Sequence, residues 1–199
     1  MRLVSLMASG WVTAFRTAGL SAVAALRLAD PQSRKIAFIG CGVQARSHLE
    51  TFATLFPLAE VTAFGRGQAN IDRLCRQASD AGMRATACST PAEAIRDADI
   101  VVSSVTLSFD LEPFVDARDL KPGAFATITD AAGPWEPAGM AAFDAIIIDS
   151  VAQEQASANK MVEPARVAGD LLGLVTGDAD VAFDAQERSA FVFRGLAIG

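Results

Sequence analysis

Histidine and cysteine are scarce in this sequence of 199 residues. Its one histidine is His48, and its three cysteines, Cys41, Cys75 and Cys88, lack the spacing of metal ligands. A metal site, a Ser-His-Asp triad or a disulfide framework is therefore not expected. We expect a packing or surface role for His48, and we expect the cysteines to be small buried side chains in a reducing compartment.

The sequence also lacks the segments that mark membrane, secreted and nucleic-acid-binding proteins. A membrane span needs about 18 uncharged apolar residues in a row, and no run in this sequence approaches that length. Residues 1–10 lack the apolar core and the cleavage motif of a secretory signal. A net charge of −6 argues against binding to nucleic acid. Since 51% of the residues are hydrophobic, we expect a sizeable core. Because the sequence shows neither a secretory signal nor a membrane span, we expect a cytoplasmic location.

A glycine-rich turn lies between a strand-like and a helix-like segment. The apolar run 36–39 ends in Gly-x-Gly-x-x-Ala at positions 40–45. Gly40 would allow a tight turn, Gly42 would leave room for a pyrophosphate, and Ala45 is small enough for the helix to pack on the strand. Backbone N–H groups of the first helical turn would face the ligand with a partial positive charge. The residues predicted to hold a cofactor here are Gly40, Gly42, Val43, Gln44 and Ala45.

Short apolar runs alternate with helix-like segments over most of the chain. Continuous apolar strands that alternate with helices indicate a parallel sheet covered on both faces. The sequence therefore predicts an α/β fold, a Rossmann-type doubly wound parallel sheet with helices on both faces. The predicted strands are Ile36–Ile39, Glu60–Phe64, Arg84–Cys88, Asp99–Ser104, Ala124–Thr129 and Ala145–Asp149.

The end of the second predicted strand bears on the choice of nucleotide. NAD-binding domains usually place Asp or Glu there for the ribose hydroxyls, whereas this chain has Phe64-Gly65-Arg66-Gly67. No carboxylate would repel a 2′-phosphate, and Arg66 can offer its guanidinium group to one. NADP is therefore favoured over NAD; in the alternative, Arg66 is a solvated loop cation and NAD is held mainly through its pyrophosphate. The missing acid also counts against an S-adenosylmethionine methyltransferase.

Four stretches follow one another along the chain: Val12–Ala18, Ile39–Arg46, Ala98–Val102 with Leu120–Ala124, and Gly169–Leu171 with Gly195–Ala197. Together they resemble motifs of the ornithine cyclodeaminase/mu-crystallin family. The resemblance implies NAD(P)-dependent hydride exchange with the α-carbon of an amino or imino acid. The segment Lys160–Pro164 is most similar to members that reduce cyclic ketimine carboxylates such as Δ1-pyrroline-2-carboxylate.

The same resemblance implies roles for three further residues. Arg16 matches the arginine that holds the substrate carboxylate, and Thr17 would lie near the cofactor phosphates. The family has a proton-transferring acid in the region of Asp130, which gives Asp130 an expected catalytic role. Because Asp130 lies about two positions early in a gapless alignment, a loop-capping aspartate is the alternative, and ornithine cyclodeaminase chemistry is less favoured.

The alternation of strands and helices predicts a dinucleotide-binding domain at 34–150, between a helical lead-in (1–33) and a C-terminal segment (151–199). The resemblance implies that this last segment returns toward a substrate domain. Family members carry an N-terminal substrate domain of roughly another hundred residues, and the full-length relatives are expected to be homodimers. We expect an NADP-dependent reductase of a cyclic ketimine carboxylate, with little or no turnover by this chain alone. The alternatives are an ornithine cyclodeaminase and a non-catalytic NADP-binding module.

Overall fold

The computed structural model describes residues 9–106, 108 and 110–194, without the side chains of Ser9 and Trp11. The motif 195–197 lies outside the described residues. The helices are α1 (Ser9–Leu28), α2 (Val43–Phe52), α3 (Gln68–Asp80), α4 (Pro91–Ile95), α5 (Val151–Ala156) and α6 (Leu171–Thr176). The strands are β1 (Lys35–Ile39), β2 (Glu60–Phe64), β3 (Arg84–Ala87), β4 (Ile100–Ser103), β5 (Phe125–Ile128), β6 (Ala145–Ile148), β7 (Val167–Asp170) and β8 (Ser189–Val192).

The described strands form one sheet of eight strands in the order β3-β2-β1-β4-β5-β8-β6-β7. Every pairing is parallel, and Ile39 at the end of β1 lies between Phe64 of β2 and Ser103 of β4. The order of strands reverses between β1 and β4, and such a switch point leaves a crevice at the carboxyl ends of the strands. The predicted Rossmann-type parallel sheet is confirmed.

Helices cover both faces of the sheet, as predicted. Alternate residues of β1 point to opposite faces, so Phe38 belongs to one buried cluster and Ile39 to the other. The first cluster contains Leu28 of α1, Leu49 of α2 and further side chains of α3. Burial of each such side chain contributes about 1.5–3 kcal/mol to folding. The two buried clusters hold the helices against the faces of the sheet and so fix where α2 and α3 begin at its carboxyl edge.

The six predicted strands are observed with ends that agree within one residue. Helix α4 has a capped start, because the Thr90 side chain accepts a hydrogen bond from the Glu93 N–H and proline lies in the first turn. The segment after Ser150 contributes two further strands, β7 and β8, to the same sheet, and these two strands are not among the predicted ones. Among the described residues, no helix is long and apolar enough to cross a membrane.

Candidate functional site

The turn after β1 requires glycine at its first position. Gly40 has a φ of +87°, and a Cβ atom there would lie 2.6 Å from the Ser104 carbonyl oxygen. The Gly40 N–H donates to the Phe64 carbonyl oxygen at 2.8 Å, and the Ser104 N–H donates to the Ile39 carbonyl oxygen at 2.8 Å. The turn is thus held tightly between the ends of β2 and β4, where a side chain has no room.

The start of α2 is open. Gly42 is its N-cap residue, no side chain caps the helix there, and a Cβ atom on Gly42 would meet nothing within 4 Å. Ala45 is fully buried against the sheet, whereas Val43 is 57% exposed. Uncapped N–H groups at a helix start are donors for an anion, and the open space at Gly42 lets a phosphate approach them.

A cavity of about 400 Å³ lies beside this turn, between the ends of β1, β2 and β4. Such a volume is in the range of small-molecule sites. Its apolar wall includes the rings of Phe64 and Phe114, whose centroids are 6.1 Å apart. The described lining residues include one cation, Arg66, and no carboxylate. They are Ile39, Gly40, Cys41, Gly42, Phe64, Gly65, Arg66, Gly67, Asn70, Ser104, Val105, Thr106, Leu111 and Phe114.

Arg66 lies at the rim of this cavity, in the loop between β2 and α3, and its side chain is exposed. Asn70 lies in the first turn of α3 and lines the same cavity. A guanidinium and a side-chain amide at one rim both offer donors to a phosphate or a ribose hydroxyl. The arrangement is compatible with the phosphorylated ribose that the sequence predicts.

Asp130 directly follows β5 and is 3% exposed. Its Oδ2 accepts hydrogen bonds from Ser103 Oγ at 2.6 Å and from the Val105 N–H at 2.9 Å. Its Oδ1 is buried and has no hydrogen-bond partner among the described residues. Burial raises the pKa of Asp130 to about 6, although both hydrogen bonds oppose that shift. Asp130 therefore holds the end of β4 while one of its oxygens remains unused.

The backbone after Asp130 is strained. Ala131 and Ala132 have φ values of 52° and 60°, in the left-handed region that alanine rarely adopts. Each such residue costs about 1–3 kcal/mol and persists only where surrounding contacts enforce it. The Gly133 N–H donates to the Asp130 carbonyl oxygen at 3.0 Å and closes the loop. Loops of this kind are frequent at ligand sites.

Arg16 and Thr17 lie on α1, outside the lining of the described cavity. Thr17 is buried against the neighbouring elements, and Arg16 is half-buried. Helix α1 runs toward the amino edge of the sheet, because the Ser189 hydroxyl at the start of β8 donates to the Leu28 carbonyl oxygen. Its first half, with Arg16 and Thr17, therefore lies toward the carboxyl edge, where α2 begins.

The structure brings Gly40, Gly42 and Arg66 together around one cavity. The lining of that cavity does not include the other predicted site residues, which are Val43, Gln44 and Ala45 in the first turn of α2 and Arg16, Thr17 and Asp130. Sequence reasoning missed Asn70, Phe114 and the segment 104–106. A signal existed for Asn70, since it lies in the first turn of the helix after Arg66. The described residues contain no group of three or more His, Cys, Asp or Glu side chains that could hold a metal ion.

The sequence matches a known protein family over nearly its whole length. The model of the ornithine cyclodeaminase/mu-crystallin family matches residues 2–198. Ketimine reductase mu-crystallin of Mus musculus is 33% identical over 132 residues, which are 66% of this chain and 40% of that protein. The chain thus spans well under two thirds of the length of the curated relatives it matches.

Two solved structures share the fold. The Δ1-pyrroline-2-carboxylate reductase of Thermococcus litoralis, solved with NADH and L-proline, superposes with a TM-score of 0.83 at 20% identity, over 96% of this chain and 62% of that one. The iminosuccinate reductase of Paracoccus denitrificans, solved with NAD+, gives a TM-score of 0.78 at 27% identity, over 94% of this chain and 60% of that one.

Proposed function

The chain belongs to the ornithine cyclodeaminase/mu-crystallin family, and we propose that it binds NADP as part of an oxidoreductase of amino or imino acids. The substrate we propose is a cyclic ketimine carboxylate such as Δ1-pyrroline-2-carboxylate. One observation carries the proposal: the uncapped start of α2 opens at Gly42 beside a cavity of about 400 Å³. The similarity to a ketimine reductase and to two imine-reducing enzymes of the same fold supports the chemistry.

In this proposal the first turn of α2 holds the cofactor pyrophosphate. The N–H groups of Val43, Gln44 and Ala45 would donate to it, and Gly42 would let it approach the backbone. Arg66 would pair with the 2′-phosphate of NADP. Because the two solved neighbours contain NADH and NAD+, the preference for NADP depends on Arg66 and on the absence of a carboxylate from the described lining.

Bound NADPH would supply a hydride to the substrate carbon. Arg16 would hold the substrate carboxylate through its guanidinium, and Thr17 would lie near the cofactor phosphates. Asp130 would move a proton at Oδ1, the oxygen that has no partner among the described residues. A carboxyl group with a pKa of about 6 is suited to proton transfer near neutral pH. The three-part division of the chain and the homodimer of full-length relatives belong to the same proposal, in which the segment after residue 150 also adds β7 and β8 to the sheet of the dinucleotide-binding domain.

A second candidate is an NADP-binding module without turnover. It is favoured by the position of Arg16 and Asp130 outside the lining of the cavity, and by the engagement of Asp130 Oδ2 with the end of β4. In this case the glycine turn and Arg66 bind the nucleotide, and Asp130 only holds the loop.

Fluorescence titration of the full 199-residue chain with NADPH and NADH tests the cofactor. The proposal expects saturable binding with a lower Kd for NADPH. Turnover is then measured with NADPH and Δ1-pyrroline-2-carboxylate, in the reverse direction with NADP and proline, and separately as the release of ammonia from ornithine. Reduction of the ketimine supports the first candidate, and binding without turnover supports the module. Failure to bind either nucleotide contradicts both, and tighter binding of NADH contradicts the role of Arg66.

A further inference from the structure

The buried face of α1 is made largely of alanine. Small side chains leave a smooth surface, which specifies the position of a helix against its neighbour less fully than large interlocking side chains would. Apolar contacts alone therefore fix the register between α1 and α2 only weakly. The buried alanines of α1 are Ala14, Ala18, Ala22, Ala24 and Ala25.

A chain of buried polar side chains crosses this smooth surface. Ser21 of α1, His48 of α2 and Thr127 of β5 are all fully buried. Thr127 Oγ1 lies 2.7 Å from Ser21 Oγ, and Ser21 Oγ lies 2.9 Å from His48 Nε2. His48 Nδ1 lies 2.7 Å from the Gln44 carbonyl oxygen. The chain thus joins two helices and the sheet through hydrogen bonds.

The Gln44 carbonyl oxygen, at the end of the series, decides which group donates in each of these hydrogen bonds. The carbonyl oxygen of Gln44 only accepts, so His48 Nδ1 carries the proton and Nε2 is left as an acceptor. Ser21 must then donate to Nε2, and Thr127 donates to Ser21. Burial lowers the pKa of His48 to about 4, which keeps this neutral ring form near neutral pH. Such a fully satisfied buried network specifies one arrangement of its helices.

The hydrogen-bonded chain Thr127–Ser21–His48 lies one helical turn away from residues assigned to the cofactor, on the side toward the amino edge of the sheet. Ser21 follows Thr17 by four positions and His48 follows Gln44 by four positions, so each pair shares a helix face. Because α1 and α2 both run from the carboxyl edge of the sheet toward the amino edge, Thr17 and Gln44 lie on the cofactor side of the Ser21–His48 bond. Gln44 Oε1 is buried there and has no partner among the described residues.

We infer that the Thr127–Ser21–His48 chain positions α1, and with it Arg16 and Thr17, against the cofactor-binding turn at the start of α2. Ser21 and His48 are then positioning residues for nucleotide binding, and neither touches the nucleotide. The inference rests on the proposed cofactor site. It assigns to His48 a defined task in place of general packing.

Substitution of Ser21 gives the first test, with NADPH titration of the full chain as the readout. Ser21→Ala removes the link between the helices while alanine favours the helix itself. We expect the Kd for NADPH to rise about tenfold, and Thr127→Val to raise it about threefold. Ser33→Ala is the matched control, because Ser33 is equally buried and donates to the Asp30 carbonyl oxygen at the amino edge. It should leave the Kd unchanged.

Two substitutions of His48 distinguish the effect of losing the hydrogen bond to Ser21 from the effect of losing the imidazole ring itself. Gln at position 48 places its carbonyl oxygen near the site of Nε2 and can accept from Ser21, whereas Asn places its amide near Nδ1 and reaches only the Gln44 carbonyl. His48→Gln should therefore retain nucleotide affinity, and His48→Asn should lose about tenfold. Equal affinities of these two variants would overturn the inference.

The single histidine also allows a direct spectroscopic test. In ¹⁵N NMR of the imidazole ring, the protein should show the neutral form protonated at Nδ1, and Ser21→Ala should shift the Nε2 signal. The form protonated at Nε2 would overturn the inference. If the unaltered chain binds no nucleotide, the proposed function fails and the inference falls with it. If it binds NADPH and folded Ser21→Ala and His48→Asn bind it equally well, only the inference fails.

Discussion

The turn after β1 and the loop after β5 both hold the end of β4, but they do so by different means. At the first, Gly40 supplies the left-handed backbone, and its small size lets Ser104 approach. At the second, Ala131 and Ala132 occupy the same backbone region without that freedom, and the buried Asp130 holds Ser103 and Val105. Glycine thus gives the first turn its left-handed backbone without strain, whereas the loop beside the buried Asp130 holds two alanines in a conformation that costs free energy.

The largest expected effect comes from Gly40→Ala. The new Cβ would meet the Ser104 carbonyl oxygen at 2.6 Å, on a backbone with a φ of +87°. The Ser104 carbonyl group is part of the backbone and cannot move away at low cost. We therefore expect the free energy of unfolding to fall by about 3 kcal/mol or more and NADPH binding to be lost. Urea unfolding and fluorescence titration measure the two effects.

Gly82→Ala is the control for that comparison. Gly82 has a φ of +81°, but a Cβ atom there would meet nothing within 4 Å. Only the backbone strain remains, so the loss should be about 1 kcal/mol with unchanged nucleotide affinity. Equal losses in the two variants would show that the contact with Ser104 has no energetic role.

The next effect concerns the pH dependence of stability at Asp130. Burial raises its pKa from 3.8 to about 6, so the folded protein holds this proton more tightly than the unfolded chain. The resulting stability is fully present below about pH 4 and is lost as the pH rises through about 6. A difference of about two pKa units corresponds to about 3 kcal/mol. Asp130→Asn keeps an acceptor for Ser103 and Val105 but removes this titration.

Urea unfolding of both proteins between pH 4 and pH 7 measures the difference. The free energy of unfolding of the unaltered protein, relative to Asp130→Asn, should fall by about 2–3 kcal/mol across that interval. Asp97→Asn controls for the loss of an exposed carboxylate. A constant difference between the unaltered protein and Asp130→Asn would mean that Asp130 keeps an ordinary pKa, and its proposed proton transfer would lose its support.

A smaller effect on nucleotide affinity is expected from Arg66, at the rim of the cavity beside the glycine-rich turn. Arg66→Ala should raise the Kd for NADPH about tenfold and leave the Kd for NADH within about twofold, because only NADPH has a 2′-phosphate. Arg76→Ala is the matched control, since Arg76 is exposed on α3 and lies outside the lining of the cavity. Parallel loss of both nucleotides would place Arg66 at a phosphate that NADPH and NADH share.

The same two regions show what sequence reasoning can reach. The turn after β1 is local: the apolar run, Gly40, Gly42 and Ala45 lie within a few positions, so their spacing predicts strand, turn and helix together. The environment of Asp130 depends on the end of another strand, 27 positions away at Ser103. The Ser21–Thr127 bond spans 106 positions. No local pattern encodes these contacts, so the sequence predicts the residue types but not their partners, burial or strain.

The smallest expected effect tests whether the loop after β5 is strained. Ala131→Gly should raise the free energy of unfolding by about 0.5–1 kcal/mol, since glycine adopts a φ of 52° without the alanine penalty. Ala138→Gly is the control: Ala138 is exposed with a φ of −66°, so glycine there should lower the free energy of unfolding by a similar amount. Urea unfolding compares the two. If both variants are destabilised alike, the loop carries no strain, and its contrast with the glycine turn reduces to the buried carboxyl group of Asp130.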